Sequence, residues 1–191
     1  LSGSGATGNT VTGNLVGTNL AGDAAIGNGG AGISIHSGAT DSVIGPNNII
    51  ANNNGGIQVD GGDTLRNTIM GNSIHTNANL GIDLSNGGNT ELAAPLVAEV
   101  TLSTCRANGT ACAGCTVEVF SDAADEGRWY EGMTTADVGG AWSFEKGSAC
   151  HGPVVRATAT DAEDSTSEFS PQPVAPAVSM DAEEEGVRLR W

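Results

Sequence analysis

The sequence predicts an all-β chain built from two unlike modules, and three observations carry that expectation. Short alternating apolar segments recur every 24 or 25 residues through the first half of the 191-residue chain. Fifteen asparagines precede residue 95 and one, Asn108, follows it, while 20 of the 29 glycines fall on the same early side. All seven aromatic residues, Phe120, Trp129, Tyr130, Trp142, Phe144, Phe169 and Trp191, lie after residue 119. Two building schemes meet near residue 94.

In residues 1–94 the segments Gly32-Ile33-Ser34-Ile35, Gly56-Ile57-Gln58-Val59 and Gly81-Ile82-Asp83-Leu84 repeat at intervals of 24 and 25. Each reads as a short strand with two branched residues on one face. Two further columns share the period: Asn48 and Asn72, opening strands that carry Ile50 and Ile74, and Asn28, Asn52 and Asn77. A unit this short cannot bury its own apolar face, so its neighbours must stack, and a strand-turn-strand unit without helical periodicity stacks as a coil of parallel strands. The expected interior columns are Ile33, Ile57 and Ile82; Ile35, Val59 and Leu84; and Val16, Ile50 and Ile74. Asparagines at the corners tolerate left-handed backbone and hydrogen-bond to their counterparts one coil away. Asn14 to Asn48 is 34 residues, ten beyond the period, so Val16 to Asn28 is expected to project as a loop.

From residue 95 the pattern changes to strands expected at Leu96 to Leu102, Thr116 to Phe120, Trp129 to Thr134, Ala141 to Phe144 and Val154 to Thr160, with Gly139-Gly140 as a hairpin turn. Alternation in Val117 and Val119, and in Trp142 and Phe144, gives each strand a buried face. Several such strands suggest an immunoglobulin-like β-sandwich over residues 95–170. About 75 residues make a thin core, which disulfides would reinforce. Cys105, Cys112, Cys115 and Cys150 allow three pairings, lack the clustered histidines of a zinc site, and imply an oxidising, extracellular setting. The pairing favoured is Cys112 with Cys115 as a local loop and Cys105 with Cys150 between strands. Residues 171–191 read as a stiff Pro-rich linker, an acidic run from Asp181 to Glu185, and a terminal strand Val187 to Trp191. That strand either opens a further module or pairs with a neighbouring domain or molecule.

The segments GNLVGTNLAGDAAIGNGGAGI, NNIIANNNGGIQV and GNSIHTNANLGIDL, followed by CTVEVFSDAADEGRWYEGMTTADVGGAWSF and ATATDAEDSTSEFS, resemble bacterial secreted and surface proteins with right-handed parallel β-helix repeats, of the pectin-lyase-like superfamily. The resemblance spans nearly the whole chain. It implies a right-handed parallel β-helix ending at residues 71–84, and it transfers no universal catalytic motif.

The formal net charge of −15, with no Lys or Arg before Arg66, excludes a basic surface for phosphates and disfavours nucleic acid and anionic membranes. No apolar run reaches a bilayer span and Leu1 opens no signal h-region, so a soluble fragment is expected, with any export signal outside it. β-Helix enzymes that act on polysaccharides use carboxylates on adjacent coils. The candidates here are Asp60, Asp63 and Asp83, with His36 in the column of Asp60; Asp60 and Asp83 are the pair that fits one sheet, and no Lys or Arg stands beside them to stabilise developing charge. Two acidic loops of the second module, with Asp122, Asp125 and Glu126 in one and Asp161 and Asp164 in the other, offer oxygen ligands to calcium if they converge, although their spacing is not that of an EF-hand. Adjacent Trp129 and Tyr130 point to opposite strand faces, one to the core and one outward as a sugar-stacking surface. His75 and His151 stand alone. Thr10 and Thr68 approach an ice-binding threonine column, which Val43 and Ile44 interrupt. No nucleophile elbow, phosphate loop or dinucleotide fingerprint is present. The expected function is a non-catalytic extracellular structural or adhesive module. The alternatives are binding or cleavage of a polysaccharide, with or without calcium, and self-assembly through the coil end or the terminal strand, with a polysaccharide or matrix component as partner.

Overall fold

The computed structural model describes residues 1–22 and 24–172. The chain is all-β, and its first nine strands form three parallel sheets visited in rotation. One sheet holds β1 (Thr10–Val11), β4 (Val43–Ile44) and β7 (Thr68–Ile69); the second holds β2 (Leu15–Val16), β5 (Ile49–Ala51) and β8 (Ser73–His75); the third holds β3 (Ala31–His36), β6 (Gly55–Asp60) and β9 (Ile82–Ser85). Ile33 stands against Ile57 and Ile57 against Ile82, Ile35 against Val59 and Val59 against Leu84, and Val16 against Ile50 and Ile50 against Ile74. These columns converge with Ile44 and Ile69 on one apolar cluster. Full burial of such a side chain is worth roughly 1.5–3 kcal/mol, so each pass of the chain adds its own increment. Thr10, Val43 and Thr68 share the interrupted column.

Asparagine ladders hold the corners. The Asn48 side-chain oxygen accepts from the backbone and side-chain nitrogens of Asn14, and the Asn72 oxygen accepts from those of Asn48. The same double bond joins Asn28 to Asn53 and Asn53 to Asn77. This corrects the expected column of Asn28, Asn52 and Asn77: the register runs through Asn53, one residue on, and Asn52 instead takes the left-handed turn position at φ 62°. A third ladder runs from Ser42 through Asn67 to Asn89. Ser42 falls short there, and the Nδ2 of Asn9 is left with no acceptor among the described residues. Replacing the fully buried Ser42 by asparagine restores the missing carbonyl. Ser42→Asn is therefore expected to stabilise the protein by about 1 kcal/mol, seen as a rise in the midpoint of chemical denaturation.

The inserted loop is narrower than the sequence suggests. Val16 belongs to β2 and Asn28 to a ladder, so only the intervening stretch projects, as a hairpin closed by an antiparallel bridge from Thr18 to Ala25. Leu20 and Ile26 stand exposed on it.

The remaining strands form two antiparallel sheets. One orders β10 (Leu96–Thr101), β11 (Arg106–Thr110) and β14 (Ala141–Glu145); the other orders β13 (Trp129–Thr135), β12 (Thr116–Asp122) and β15 (Val154–Thr160). Val97, Ala107 and Trp142 of the first meet Val117, Val119, Val155 and Ala157 of the second in one core. Strand β11, Arg-Ala-Asn-Gly-Thr, has no branched apolar residue to announce it. Gly109 lies mid-strand, where a Cβ would strike the Leu96 carbonyl and the Trp142 ring. The Gly139-Gly140 hairpin is also corrected: the turn forms, capped by the Asp137 side chain, but β14 pairs with β11 and not with β13, so it carries the chain from one sheet to the other. Cys105 is bonded to Cys150 and Cys112 to Cys115, bonds that belong to an oxidising environment. The Pro-rich linker's continuation from residue 173, the acidic run and the terminal strand lie outside the described residues.

Candidate functional site at the junction of the two halves

A strand in a parallel sheet bonds each neighbour with alternate residues, so the last pass of a stack leaves a row of N–H groups unmet. Here the second half meets them individually. The Ser165 hydroxyl accepts from the Arg66 N–H at 3.3 Å, the Thr166 hydroxyl from Ile69 at 2.9 Å and the Glu118 carboxylate from Gly71 at 3.0 Å. Ile74 exchanges two backbone bonds with Gly127, at 2.9 and 3.0 Å, and the Glu168 carboxylate accepts from Leu84 at 2.9 Å. Glu126 ends the Asn28–Asn53–Asn77 ladder. Its two oxygens accept from the Asn77 backbone nitrogen at 3.0 Å and side-chain nitrogen at 2.9 Å, standing where the next asparagine would.

The cap uses the outward face of the β13-β12-β15 sheet. With Val117 and Val119 turned inward, Glu118 and Phe120 face the stacked strands, and Phe120 packs edge-on against Phe169 with ring centroids 5.5 Å apart. Glu118, Phe120, Glu126, Arg156 and Thr158 are all buried. Burial pushes the Glu118 carboxyl up to about 7 against the single bond from Gly71, and it raises Glu126 against the opposing bonds from Asn77.

Two clefts flank the seam. One, of about 360 Å³, is lined by Asp41, Arg66, Thr68, Glu118, Asp161 and Asp164. Arg66 grips Asp41 there through Nε at 2.6 Å and Nη2 at 3.0 Å, which holds the Asp41 carboxyl well below the usual carboxylate range. Both partners are largely exposed, so the pair adds little to stability. The other cleft, of about 390 Å³, is lined by Leu80, Ile82, Asp125, Arg156, Phe169 and Pro171 among others.

The acidic loops do not converge. Asp122 is opposite Val154 at the start of β15, whereas Asp161 follows Thr160, which pairs with Thr116 at the far end of β12. The two loops thus lie at opposite ends of one sheet, roughly 20 Å apart at the usual rise per residue. Glu126 is engaged by Asn77, Asp122 accepts from the Ala123 N–H, and Asp161 caps Glu163 and Ser165. Asp164 takes a left-handed turn position and gives its backbone carbonyl to Thr68. The expected five-residue calcium set is therefore two unrelated turns. Among the described residues the cluster of metal-ligating types that does come together is Cys105, Glu131 and Cys150, and its cysteines are consumed by their disulfide.

On the third parallel sheet Asp60 stands against His36 and Ser85, and Asp83 against Gln58. Asp60 and Asp83 share the outer face but sit diagonally, in neighbouring columns. Asp60 accepts from Ser85 and Asn86, bonds that lower its carboxyl, and Asp83 accepts from Gln58 at 3.3 Å. A shallow groove of about 450 Å³, lined by Gly30, Asn54, Gln58, Asn79, Leu80 and Asp83, runs beside them.

Tyr130 is exposed, as one of the adjacent pair had to be, but Trp129 is not its core counterpart. Trp129 is half-buried, stacked with His151 and covered by the Arg128 guanidinium 4.9 Å from its ring centre. Trp129 pairs with Ser121 and Tyr130 with Phe120, and beyond them β13 is bulged: Val119 faces Gly132 and Phe120 faces Tyr130, leaving Glu131 as the extra residue. Glu131 turns inward and accepts from Ser121, Lys146 at 2.7 Å and the His151 backbone, and these partners draw its carboxyl down to about 2 despite burial.

Fold and junction together define an all-β chain of stacked parallel sheets closed at one end by an antiparallel two-sheet unit. No protein-family model matches the chain, and no curated protein is significantly similar to it. No helix among the described residues is long and apolar enough to cross a membrane.

Proposed function

We propose that the chain is the end of a right-handed parallel β-helix, over residues 1–94, sealed by an immunoglobulin-like β-sandwich, over residues 95–170, and that it serves as a non-catalytic structural or adhesive module of a secreted or cell-surface protein. The observation that carries this reading is the seam, where carboxylates, hydroxyls and one carbonyl of the second half take the N–H groups of the last pass one by one. An edge saturated in this way neither recruits another chain nor frays. The result is a stiff rod with a fixed terminus, which suits a stalk or spacer. The carboxylates that sequence patterning offered for catalysis are diagonal or already bonded, with His36 as the titratable neighbour of Asp60.

Hydrogen exchange tests the sealed terminus. The amides of Ile69, Gly71, Ile74, Asn77 and Leu84 are expected to exchange within about tenfold of the interior Ile57 amide; fast exchange at these positions would remove the basis of the proposal. Incubation with acidic and neutral polysaccharides is expected to leave chain length unchanged, and shortening that is abolished by Asp83→Asn would establish an enzyme instead.

A second reading, carbohydrate binding without cleavage, draws on the groove beside Gln58 and Asp83. Its asparagine and glutamine amides are suited to sugar hydroxyls. Glycan-array retention that is lost in Gln58→Ala favours it.

A further inference from the structure

Arg156 is at variance with its surroundings. It is only 4% exposed, and its Nε and Nη1 donate to no acceptor among the described residues. A buried guanidinium without a partner is costly and calls for an explanation at each occurrence. Its place supplies one: Arg156 lines the 390 Å³ cleft between the two halves. Asp125 lines the same cleft, is exposed, and makes no hydrogen bond or ion pair among the described residues, although its charge, like that of Asp122, is felt by Arg156. The neighbouring carboxylates are committed, Glu126 to Asn77 and Glu168 to Leu84. What remains is one unpaired cation and one unpaired anion facing one cleft without touching each other, beside apolar walls from Leu80, Ile82 and Phe169.

We propose that this cleft is a binding site for a small zwitterion of the α-amino acid class, its carboxylate on Arg156, its ammonium on Asp125 and its apolar side chain against Phe169. A guanidinium matches a carboxylate in charge and in planar donor geometry. A simple anion fits less well, because Asp125, Glu126 and Glu168 all border the cleft and their combined field repels it. A simple cation leaves Arg156 unpaired. A zwitterion satisfies both groups at once, and the site is independent of whether the outer face of the parallel sheets also holds glycans.

The test is calorimetric titration of the full chain with L-leucine and L-phenylalanine, alongside their N-acetyl and carboxamide forms. Saturable binding of the free amino acids is expected, weakened about tenfold or more when either end is blocked. Asp125→Asn lies in an exposed loop and should leave folding intact. It is expected to weaken the free amino acid to the level of its N-acetyl form, while Arg156→Met should abolish binding of both. If Arg156→Met does not fold, the Asp125→Asn comparison decides alone. Absence of saturable binding by any free amino acid at millimolar concentration overturns the site. Equal binding of the free and N-acetylated ligands overturns the role of Asp125 and with it the zwitterion.

Discussion

Replacing Glu126 by alanine is expected to destabilise the protein by about 4 kcal/mol, from two hydrogen bonds to a buried charged group at roughly 1.5–3 kcal/mol each. Glu126 is the final acceptor of a ladder that otherwise consists of asparagines, and it receives both the backbone and the side-chain nitrogen of Asn77. Alanine would leave both donors without their acceptor at the seam. The contrast that isolates this cause is Glu126→Gln. In the ladder above, a single amide oxygen accepts both nitrogens, as Asn53 does for Asn28, so glutamine can do the same at position 126 and is expected to cost less than about 1 kcal/mol. Urea denaturation of the three proteins measures the difference. A glutamine variant as unstable as the alanine one would mean that the negative charge, and not the acceptor, holds the seam.

What was legible in the sequence follows from what repeats. The columns of Ile33, Ile57 and Ile82 declare themselves because each pass must place a branched residue over the one before. The glycine ahead of Ile57 is equally fixed, since a Cβ on Gly56 would come within 2.1 Å of the Gly81 carbonyl. The Asn52 column failed because three asparagines stand together at positions 52–54, and spacing alone cannot tell which one faces its neighbour. The bulge at Glu131 and the strand at Arg106–Thr110 were hidden for a different reason. Each is set by a tertiary partner, the Lys146 and Ser121 groups in one case and the flanking strands in the other, and neither leaves a local pattern. The seam is hidden in the same way. Glu118, Glu126, Glu168, Ser165 and Thr166 are ordinary polar residues until the antiparallel half is placed against the last pass, and then they are acceptors aligned with its free N–H groups. One trace was available: Val117 and Val119 turned inward put Phe120 on the outer face, and an outward phenylalanine on a short strand signals a covering partner.

The cap should also make stability depend on pH in an unusual direction. Glu118 has its folded carboxyl raised to about 7 from 4.5. Its contribution is therefore fully present below about pH 4.5 and is lost as pH rises through about 7, an effect of about 3 kcal/mol at roughly 1.4 kcal/mol per unit. Other groups act on the same axis. Glu131, drawn down to about 2, contributes stability that is present above pH 4.5 and lost as pH falls toward 2. His75, lowered by its burial, favours the folded state above its ordinary value and opposes Glu118 as pH falls below it. Around Glu118 itself stand Asp41, Arg66, Asp161 and Asp164 across the cleft. Comparison with Glu118→Gln removes these common contributions, because glutamine keeps an acceptor for the Gly71 N–H and does not titrate. The stability of the native protein relative to that variant is expected to fall steadily between pH 4.5 and 8, read from urea midpoints across the range. Two parallel curves would show that Glu118 is ionised at the seam throughout, and that the Gly71 N–H holds the carboxylate there strongly enough to offset its burial.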